Sequence, residues 1–383
     1  IGEVSRVRFV GGCVRKALNG ESIDDIDLAT SLEPYEVKKK LTKEGIKVID
    51  TGLEHGTITA ILNKKKFEIT TLRKDVVSDG RHAKVEFTLN WEQDAARRDF
   101  TINAIYADIE GRIFDPLNGV EDLKKGIVRF IGSPNERIEE DYLRILRYFR
   151  FFSQYSKKDH DLNTIKSIKK NINGINKISN ERIFEELEKI LTIKNFTNIF
   201  TYNESKEIIL NIFPQFKYVD RLNNLDNKLL DNYDACLFLA VLIIDKSDNY
   251  EYFCHKYKTS NVIRNRLKNI SKKFEDFKNI KFFSEENIKK LIYFSSRSDV
   301  KDLLLFSLSI NKRMKKLDIK KLITYANNCE IPKFPISGDY LKKYGYKTGL
   351  ELGDKLKFLE ERWIKNNFKI DEKEINKYLF KKN

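Results

Sequence analysis

Three carboxylates near the beginning of the 383-residue chain have the types and spacing for divalent-metal chemistry. Asp25 and Asp27 are two residues apart, so on a strand both side chains face one side, where their oxygens can hold Mg²⁺. Glu68 lies between Phe67 and Ile69, which we expect to face the core, so Glu68 points to the other face of its strand. Three carboxylates on a small sheet suit two-metal phosphoryl transfer, in which one ion activates a hydroxyl and another steadies the leaving pyrophosphate.

Each of these carboxylates also has a structural interpretation. An isolated Asp-x-Asp pair commonly caps a turn or lies in solvent, and this alternative applies to Asp25 and Asp27 when they are taken alone. For Glu68 the alternative is a surface salt bridge to Lys66 or Arg73. The neighbouring motifs therefore have to decide between the two interpretations.

A pair of glycines precedes the carboxylates in the segment Val10-Gly11-Gly12-Cys13-Val14-Arg15, which is predicted to be the end of a strand and a turn. Paired glycines let the backbone approach a ligand and direct amide groups at phosphate oxygens, and Arg15 adds a charged donor. Gly11, Gly12 and Arg15 are thus candidate nucleotide-binding residues, although this motif alone is a weak signal.

A second cluster has the sequence Arg-Arg-Asp-Phe-Thr-Ile-Asn-Ala and lies in a predicted helix over Glu92–Tyr106. Arg98 is a candidate contact to a phosphate or a sugar. Asp99 is a candidate acceptor from a ribose 2′-hydroxyl, the group that separates ribonucleotides from deoxyribonucleotides. An intrahelical ion-pair cluster is the alternative interpretation of the same residues.

A third cluster lies in a predicted helix over Ile138–Phe152. Asp141 and Arg144 are three residues apart, so a continuous helix places them on one face. Together they present an acceptor and donors, the complement of the amino group and ring nitrogen that cytosine and adenine share. Arg147 and Arg150 continue the row and could hold triphosphate or primer phosphates. For Asp141 and Arg144 the alternative is an ordinary surface ion pair.

The elements that must position these clusters change in type along the chain. Short β-branched runs bounded by turn residues predict strands at Val7–Val10, Ile26–Ala29, Thr57–Leu62, Phe67–Leu72 and Ile113–Asp115. Thr57–Leu72 is predicted to be a hairpin with Asn63 and Lys64 at its tip. Apolar residues at three- and four-residue intervals predict further helices at Pro34–Glu44, Asn180–Leu191, Tyr233–Ile244, Val262–Phe277 and Glu286–Phe294. We therefore predict an α/β head followed by an all-α remainder.

Charge divides the chain in the same way. The net charge is +15, from 72 basic and 57 acidic residues. Residues 1–150 hold 26 of each sign, and residues 251–350 alone hold 23 basic and 10 acidic residues. A positive field of this size attracts phosphate backbones, while a lysine-rich solvated surface is the alternative. The sequence contains no apolar run near the roughly 18 residues that a spanning helix requires, so membrane insertion is not expected.

Taken in order, the motifs resemble the class II CCA-adding enzymes, the tRNA nucleotidyltransferases related to bacterial poly(A) polymerase. The segments are GGCVR, DID, FEIT, SDGRHAKVEF, RRDFTINA, DPLNGVEDL and EDYLRILRYFRF. Ile178–Leu187 is similar to the neck motif of the family, and the tail around Ile336–Leu341 is similar only loosely. Several independent motifs in the right order make a chance match far less probable than for any single motif.

The resemblance implies an α+β fold, with a small mixed-sheet nucleotidyltransferase head followed by an all-helical neck, body and tail in a seahorse-shaped protein. We place the head at residues 1–130, the neck at 131–195, the body at 196–290 and the tail at 291–383. The implied activity is addition of C, C and A to the 3′ end of tRNA from CTP and ATP, without a nucleic-acid template and with Mg²⁺. The basic body and tail would grip the acceptor and TΨC arms of tRNA by shape. No membrane and no obligate protein partner is inferred.

The resemblance also assigns roles by motif. Asp25 and Asp27 match Mg²⁺ ligands, and Glu68 matches the third catalytic carboxylate. The remaining matches are nucleotide contacts: Gly12 and Arg15 to triphosphate, Arg98 and Asp99 on the ribose side, Asp141 and Arg144 as the amino-acid template for the incoming base, and Arg147 and Arg150 as further contacts.

Two other positions bear on the assignment. Arg73–Glu86 corresponds to the flexible loop that helps the family to switch from C to A addition, and its presence argues against a CC-only enzyme. Lys16 stands where the family usually has an acidic residue, which puts any contact made by that acid in doubt.

Alternatives remain open within and outside the family. They are an A-adding or CC-adding enzyme, a poly(A) polymerase on the same scaffold, and a catalytically silent RNA-binding protein. We expect a cytoplasmic protein. An organellar form stays open because the chain begins with Ile1 and not with Met.

Overall fold

The computed structural model describes residues 6–77, 84–311 and 318–379. All of its strands lie before residue 115, and the regular structure described after that point is helical, which confirms the predicted α+β class. The chain divides into two units by its internal contacts. The first consists of Ile1–Pro214 with Lys256–Thr259, and the second of Gln215–His255 with Ser260–Asn383.

A mixed sheet forms the beginning of the first unit. The strands are β1 Val7–Val10, β2 Ile26–Thr30, β3 Lys47–Gly52, β4 Thr57–Leu62, β5 Lys65–Thr71, β6 Arg73–Val77, β7 Lys84–Phe87, β8 Tyr106–Ala107 and β9 Ile113–Phe114. Seven of them form one sheet in the order β3-β4-β5-β2-β1-β8-β9, and β6 pairs with β7 in a separate ribbon. Within the larger sheet β2 and β5 run parallel, whereas the other described pairs are antiparallel.

The hairpin of β4 and β5 follows the sequence prediction. Asn63 and Lys64 form its tip with φ values of 50° and 65°, the left-handed conformation that a two-residue hairpin turn requires. The parallel pairing of β5 with β2 then sets Glu68 beside Asp27. The strand β3 lies at the edge of the sheet. It was not predicted, because its sequence contains no strong β-branched run.

Among its described residues, the first unit also contains nine helices that begin and end before residue 214. They are α1 Gly12–Leu18, α2 Pro34–Lys43, α3 Trp91–Ala96, α4 Gly119–Lys125, α5 Pro134–Glu140, α6 Arg144–Tyr155, α7 Leu162–Asn171, α8 Asn180–Leu191 and α9 Asn203–Ile212. α6 and α8 are strongly amphipathic and bury their apolar faces, with Leu146 and Phe149 of α6 fully inaccessible.

The helix predicted over Glu92–Tyr106 is wrong beyond its first turns. α3 ends at Ala96, Phe100 is extended (φ −126°, ψ 149°), and a short 3₁₀ turn leads into β8. The Asp99 carboxylate accepts hydrogen bonds from the Phe100 backbone N–H and the Asn103 side-chain amide, at 2.9 and 2.8 Å. This local bonding offers the backbone an alternative to the helix, which apolar spacing alone does not reveal.

The helix predicted over Ile138–Phe152 is interrupted at Asp141. α5 ends at Glu140, Asp141 is extended (φ −153°, ψ 104°), and α6 begins at Arg144. The Asp141 side chain accepts from the backbone N–H of Leu143 at 3.1 Å, as short polar side chains do where a new helix starts. Asp141 and Arg144 therefore do not lie on one face of a continuous helix, contrary to the sequence prediction.

The later helices are α10 Ala235–Ile243, α11 Asn249–Lys256, α12 Asn261–Lys272, α13 Glu285–Phe294, α14 Arg297–Ile310, α15 Ile319–Asn328, α16 Gly338–Lys342, α17 Leu350–Lys365 and α18 Glu372–Leu379. α10 is apolar on all sides and is buried, with α12 and α14 packed against it. Among the described residues, no helix combines the length and the apolar character needed to cross a bilayer.

Candidate active site

Two of the predicted carboxylates occupy adjacent strands of the sheet. Asp27 of β2 and Glu68 of β5 are direct partners in the parallel register. Asp25 is the residue directly before β2. Asp25 and Glu68 are exposed, and Asp27 is half-buried. Asp25 and Asp27 also line a cleft of about 1010 Å³, so they are available to a ligand inside it.

The charges of these carboxylates act on one another. Burial is the main cause that raises the pKa of Asp27 above its ordinary value, and the negative charges of Glu68 and Asp25 raise it further. Arg98 and Arg15 lower it, but less. A half-buried carboxylate whose pKa is raised by burial and by neighbouring negative charges is a site that a cation would stabilise. Among the described residues, no salt bridge joins Glu68 to Lys66 or Arg73. Arg73 instead donates to the backbone carbonyl of His55.

The donors present fit a magnesium ion. In the described part of the chain, no three acidic, histidine or cysteine side chains form a complete metal-binding set. Mg²⁺ does not need such a set, because proteins usually hold it with one or two carboxylates together with waters and substrate phosphates. Asp25 and Asp27 supply oxygen ligands of that kind.

The paired glycines lie where α1 leaves the sheet, next to these carboxylates. Gly11 has φ 70° and ψ −119°, a conformation that a residue with a side chain adopts only under strain. A Cβ at Gly11 would lie 3.7 Å from the Arg98 guanidinium, whereas a Cβ at Gly12 would meet no atom within 4 Å. Both glycines line the cleft, so the turn is open to a ligand on the side of Gly12.

Arg15 lines the cleft but is largely buried, with 5% of the residue exposed. It donates to the side-chain oxygen of Asn103. Its guanidinium carbon lies 4.8 Å from the ring centre of Phe151 and 5.0 Å from that of Tyr155, both in α6. Arg15 therefore joins the sheet side of the cleft to α6, and its Nε is buried with no hydrogen-bond partner in the described structure.

Arg98 is held by a buried carboxylate that was not predicted. Its Nη2 lies 3.1 Å from Asp94 Oδ2, and its Nε donates to the hydroxyl of Tyr106 at 3.1 Å. Burial alone would raise the pKa of Asp94, but the charges of Arg98 and Arg97 outweigh it and bring the value to about 2. The spacing of Asp94, three and four residues before the two arginines, is the signal that could have identified it.

Asp99 is occupied by a second arginine. Arg147 of α6 places Nε and Nη2 at 2.8 and 2.5 Å from Asp99 Oδ2, while the other oxygen accepts from Phe100 and Asn103. Burial raises the pKa of Asp99, yet the charge of Arg147 and the hydrogen bonds hold it at about 2. In this state Asp99 positions Arg147, and both of its oxygens are already engaged.

Asp141 and Arg144 each have a different partner. Arg182 of α8 donates to Asp141 Oδ2 at 2.8 Å. Arg144 donates to Glu140 Oε2 at 2.5 Å and to a backbone carbonyl of α5. Arg147 and Arg150 line the cleft, whereas Asp141 and Arg144 are absent from the lining of the described cleft. Their charges still reach it, because Arg144 lowers the pKa of Asp99 and Asp141 raises that of Arg147.

Arg150 is tied to α8 through a buried carboxylate. Its Nε lies 2.5 Å from Oε1 of Glu186, which is only 2% exposed. Its guanidinium carbon lies 4.2 Å from the Phe151 ring centre, so Arg15, Arg147 and Arg150 all contact one ring. The sequence motif around α8 predicted a neck element. It did not predict that Arg182 orients Asp141 or that Glu186 orients Arg150.

The cleft thus has a floor and two walls. Arg147, Arg150, Phe151 and Gln154 recur at helical spacing along one face of α6 and form the floor. One wall comes from α1, the loop after it and β2. The other comes from the end of α8 and the turn that follows, through Lys189 and residues 192–195.

Two features noted in the sequence lie at the edge of this site. Lys16, which lines the cleft, forms an ion pair with Asp24 at 2.7 Å, so the usual acidic residue is replaced by a cation that pairs beside the Asp25–Asp27 motif. The ends of the Arg73–Glu86 segment form the β6–β7 ribbon, with Lys74 and Glu86 paired at 3.1 Å. Residues 78–83 of that predicted loop lie outside the described residues.

Comparison with known proteins agrees with this architecture. Residues 7–129 match the family model "Poly A polymerase head domain", and residues 161–219 match "Probable RNA and SrmB- binding site of polymerase A". The fold is similar to that of the Bacillus stearothermophilus CCA-adding enzyme in complex with CTP, with a TM-score of 0.76 at 23% identity. That similarity covers 97% of this chain and 92% of the other.

Sequence relatives extend the match over nearly the whole chain. The human mitochondrial CCA tRNA nucleotidyltransferase 1 is 37% identical over 99% of this chain and 87% of its own length. The CCA-adding enzyme of Lactobacillus helveticus is 32% identical over 97% of this chain and 92% of its own length. The resemblance predicted from the motifs is confirmed, and the chain belongs to the family of CCA-adding tRNA nucleotidyltransferases.

Proposed function

We propose that this chain adds C, C and A to the 3′ end of tRNA, using CTP and ATP in a Mg²⁺-dependent reaction. The observation that carries the proposal is the pairing of Asp27 with Glu68 across β2 and β5, beside Asp25 and the glycine turn. The relatives named CCA tRNA nucleotidyltransferase support the substrates, as do similar folds solved with CTP and with tRNA.

In the proposed reaction, the terminal ribose hydroxyl of the tRNA attacks the α-phosphate of CTP or ATP, and pyrophosphate leaves. Asp25 and Asp27 would hold Mg²⁺, with Glu68 as the third carboxylate. When bound, the metal supplies a lower pKa for the attacking hydroxyl and positive charge for the leaving pyrophosphate. The raised pKa of Asp27 fits this assignment, since a bound cation would remove the repulsion that raises it.

The paired arginines supply the positioning. Asp94 and Asp99 fix Arg98 and Arg147, so both guanidinium groups stay in place at the cleft before the nucleotide arrives. Preorganised cations of this kind favour the charge that develops on phosphate during transfer. Gly11, Gly12 and Arg15 would contact the triphosphate from the neighbouring wall, and Arg150 would contribute from the floor.

Base selection is assigned to Asp141 and Arg144. Cytosine and adenine both present an amino group beside a ring nitrogen, which an acceptor and a donor can read together. Asp141 is oriented by Arg182 and Arg144 by Glu140, so both side chains are already held by neighbours. Reading a base would require them to exchange these partners for the nucleotide. Arg182 is then a positioning residue for Asp141.

The four-part organisation is kept as part of the proposal, with head 1–130, neck 131–195, body 196–290 and tail 291–383. The basic surplus of residues 251–350 supports binding of the tRNA acceptor and TΨC arms by the body and tail. We also propose a cytoplasmic location, which cell fractionation would test. Recovery in an organelle fraction, as the names of the human and mouse relatives suggest for those proteins, would replace it.

The test measures pyrophosphate released per tRNA in the presence of Mg²⁺, with a tRNA that ends at the discriminator base. We expect two equivalents with CTP alone and three with CTP and ATP together. No release would contradict full CCA addition and is the result expected of a catalytically silent RNA-binding protein. Release with CTP that ATP does not increase would identify a CC-adding enzyme. Continued release with ATP would identify a poly(A) polymerase on the same scaffold.

A further inference from the structure

Most of the cations that line the active-site cleft are already engaged with the protein. Seven basic side chains belong to its described lining: Arg15, Lys16, Arg98, Arg147, Arg150, Lys189 and Lys194. Five of them have a partner, which is Asn103, Asp24, Asp94, Asp99 or Glu186 respectively. Lys189 and Lys194 are exposed, and within residues 6–77, 84–311 and 318–379 neither has a carboxylate partner.

These two lysines share one wall of the cleft and are carried by a well-held backbone. Thr192 closes α8 by donating its backbone N–H to the Glu188 carbonyl at 3.1 Å and its hydroxyl to the Lys189 carbonyl at 2.8 Å. Phe196, which follows the turn, is 1% exposed and anchors it in the core. The turn therefore fixes the backbone positions of the two lysines, while their side chains remain free to contact a ligand.

The lysine wall is separate from the groups proposed to hold the incoming nucleotide. The glycine turn and Arg15 belong to the wall that also carries Asp25 and Asp27. α6 lies between the two walls, because it contacts α1 through Phe151 and α8 through Arg150. In phosphoryl transfer the attacking and leaving oxygens are roughly in line, so the strand bearing the hydroxyl arrives from the side away from the pyrophosphate.

The cleft is large for the site of a single small molecule. Ligand pockets span about 300–1,000 Å³, and this cleft, at about 1010 Å³, lies at the upper end of that range. Strongly hydrated lysine ammonium groups on flexible stems suit a polyanion whose phosphates shift by one position after each addition. Bidentate arginines fixed by carboxylates suit the nucleotide, which must occupy the same position in every cycle.

We propose that Lys189 and Lys194 bind the backbone phosphates of the last nucleotides of the tRNA 3′ strand, and so form a subsite for the primer. The proposal rests on the function proposed above. It assigns these residues to phosphodiesters of the primer and not to the triphosphate of CTP or ATP, which offers the same chemistry. Because the contacts are to phosphate, they carry no base preference.

The test compares steady-state addition by the full chain and by Lys189→Ala/Lys194→Ala, with tRNA ending at the discriminator base. We expect KM for tRNA to rise about tenfold and KM for CTP to change less than about twofold. The slope of log KM for tRNA against log salt should fall by about one for each lysine removed. Lys189→Arg/Lys194→Arg should retain the wild-type values, since the charge is kept.

A matched control removes the same charge elsewhere. Lys39→Ala/Lys40→Ala changes two exposed lysines of α2, outside the cleft lining, and should leave both KM values unchanged. Substituting neutral methylphosphonate for the last phosphodiesters of the primer should raise the wild-type KM about tenfold, with no further rise in the alanine variant.

Three outcomes would overturn the assignment. A higher KM for CTP with an unchanged KM for tRNA would assign the lysines to the nucleotide. Unchanged values for both substrates would show that they are solvated side chains. Wild-type protein that adds no nucleotide at all would defeat the proposed function itself, and that result is separate because it does not depend on either lysine.

Discussion

Two sets of carboxylates lie in or next to the cleft, and among the described residues only one set forms ion pairs with arginines. Asp25, Asp27 and Glu68 lie on the sheet side, where burial and mutual repulsion raise the pKa of Asp27. Asp94 and Asp99 are more deeply buried, yet arginines hold the pKa of each at about 2. Burial therefore does not determine the direction of the pKa shift of a carboxylate at this site. The direction depends on whether an arginine pairs with the carboxylate, and a carboxylate without such a partner is available to a ligand.

The same comparison predicts opposite consequences for stability and activity. Removing a charge from the sheet-side set removes repulsion, so the free energy of unfolding should not fall. Nucleotide addition should nevertheless be lost. Removing a charge from the arginine-paired set leaves a guanidinium buried without its partner, so the main effect should be a lower free energy of unfolding. Substitutions that keep the shape of the side chain test this contrast most cleanly.

The largest expected effect is on catalysis by Asp27→Asn. We expect nucleotide addition to slow by about a thousandfold or more, because several kcal/mol of metal-dependent stabilisation are lost. Affinity for tRNA should stay within about twofold, and the midpoint of thermal unfolding should be unchanged or higher. Single-turnover extension, filter binding and calorimetry measure the three quantities. A large loss of tRNA binding would make the assignment of Asp27 as a metal ligand untenable.

The second effect is the destabilisation expected from Asp94→Asn. Asp94 is 1% exposed and partners Arg98, Arg97 and the Tyr106 hydroxyl. Breaking a buried pair by removing one member costs about 3–5 kcal/mol. Urea unfolding of the variant beside Asp27→Asn would measure the difference. Equal stability of the two variants would remove the distinction between the two carboxylate sets.

The third effect is a dependence of stability on pH. The folded pKa of Asp94 and of Asp99 is about 2, below the ordinary value of 3.8, so their contribution is present above about pH 4 and is lost as pH falls towards 2. Each contributes on the order of 2 kcal/mol. Urea unfolding at several pH values should show a smaller acid loss in Asp94→Asn than in the wild type. An identical pH profile would contradict the depressed pKa of Asp94.

The smallest expected effect is on base selection by Asp141→Ala and Arg144→Ala. Loss of the matched acceptor or donor should reduce discrimination between correct and incorrect nucleotides by about 10- to 100-fold, equivalent to about 1–3 kcal/mol. Arg182→Ala should act in the same direction and more weakly, because it only orients Asp141. Competition between the four nucleotides, with the Mg²⁺ dependence as a second readout, measures the change. Unaltered nucleotide preference would remove the template role.

The sequence predicted the sheet-side set better than the rest of the site. Alternation around Glu68 and the two-residue turn at Asn63 and Lys64 fix a register by local rules, and the structure follows them. The parallel pairing that sets Asp27 beside Glu68 joins segments about forty residues apart. Strand alternation suggested that the third carboxylate lies near the first two, but it did not predict this pairing.

The arginine-paired set was harder to predict, because its partners lie far apart in the chain or depend on local backbone bonding. Apolar spacing continued the helix past Ala96 and through Asp141, where side-chain hydrogen bonds end it. Arg147 reaches Asp99 across 48 positions, and Arg150 reaches Glu186 across 36. Spacing rules describe neighbours three or four residues apart, so they could not supply these pairs.

The most direct measurement is a gel extension assay on tRNA that ends at the discriminator base, with CTP alone, ATP alone and both together. We expect two added nucleotides with CTP, none with ATP, and three with both, and Asp27→Asn should add none in any lane. A long ladder with ATP, addition of one class of nucleotide only, or full extension by Asp27→Asn would contradict it.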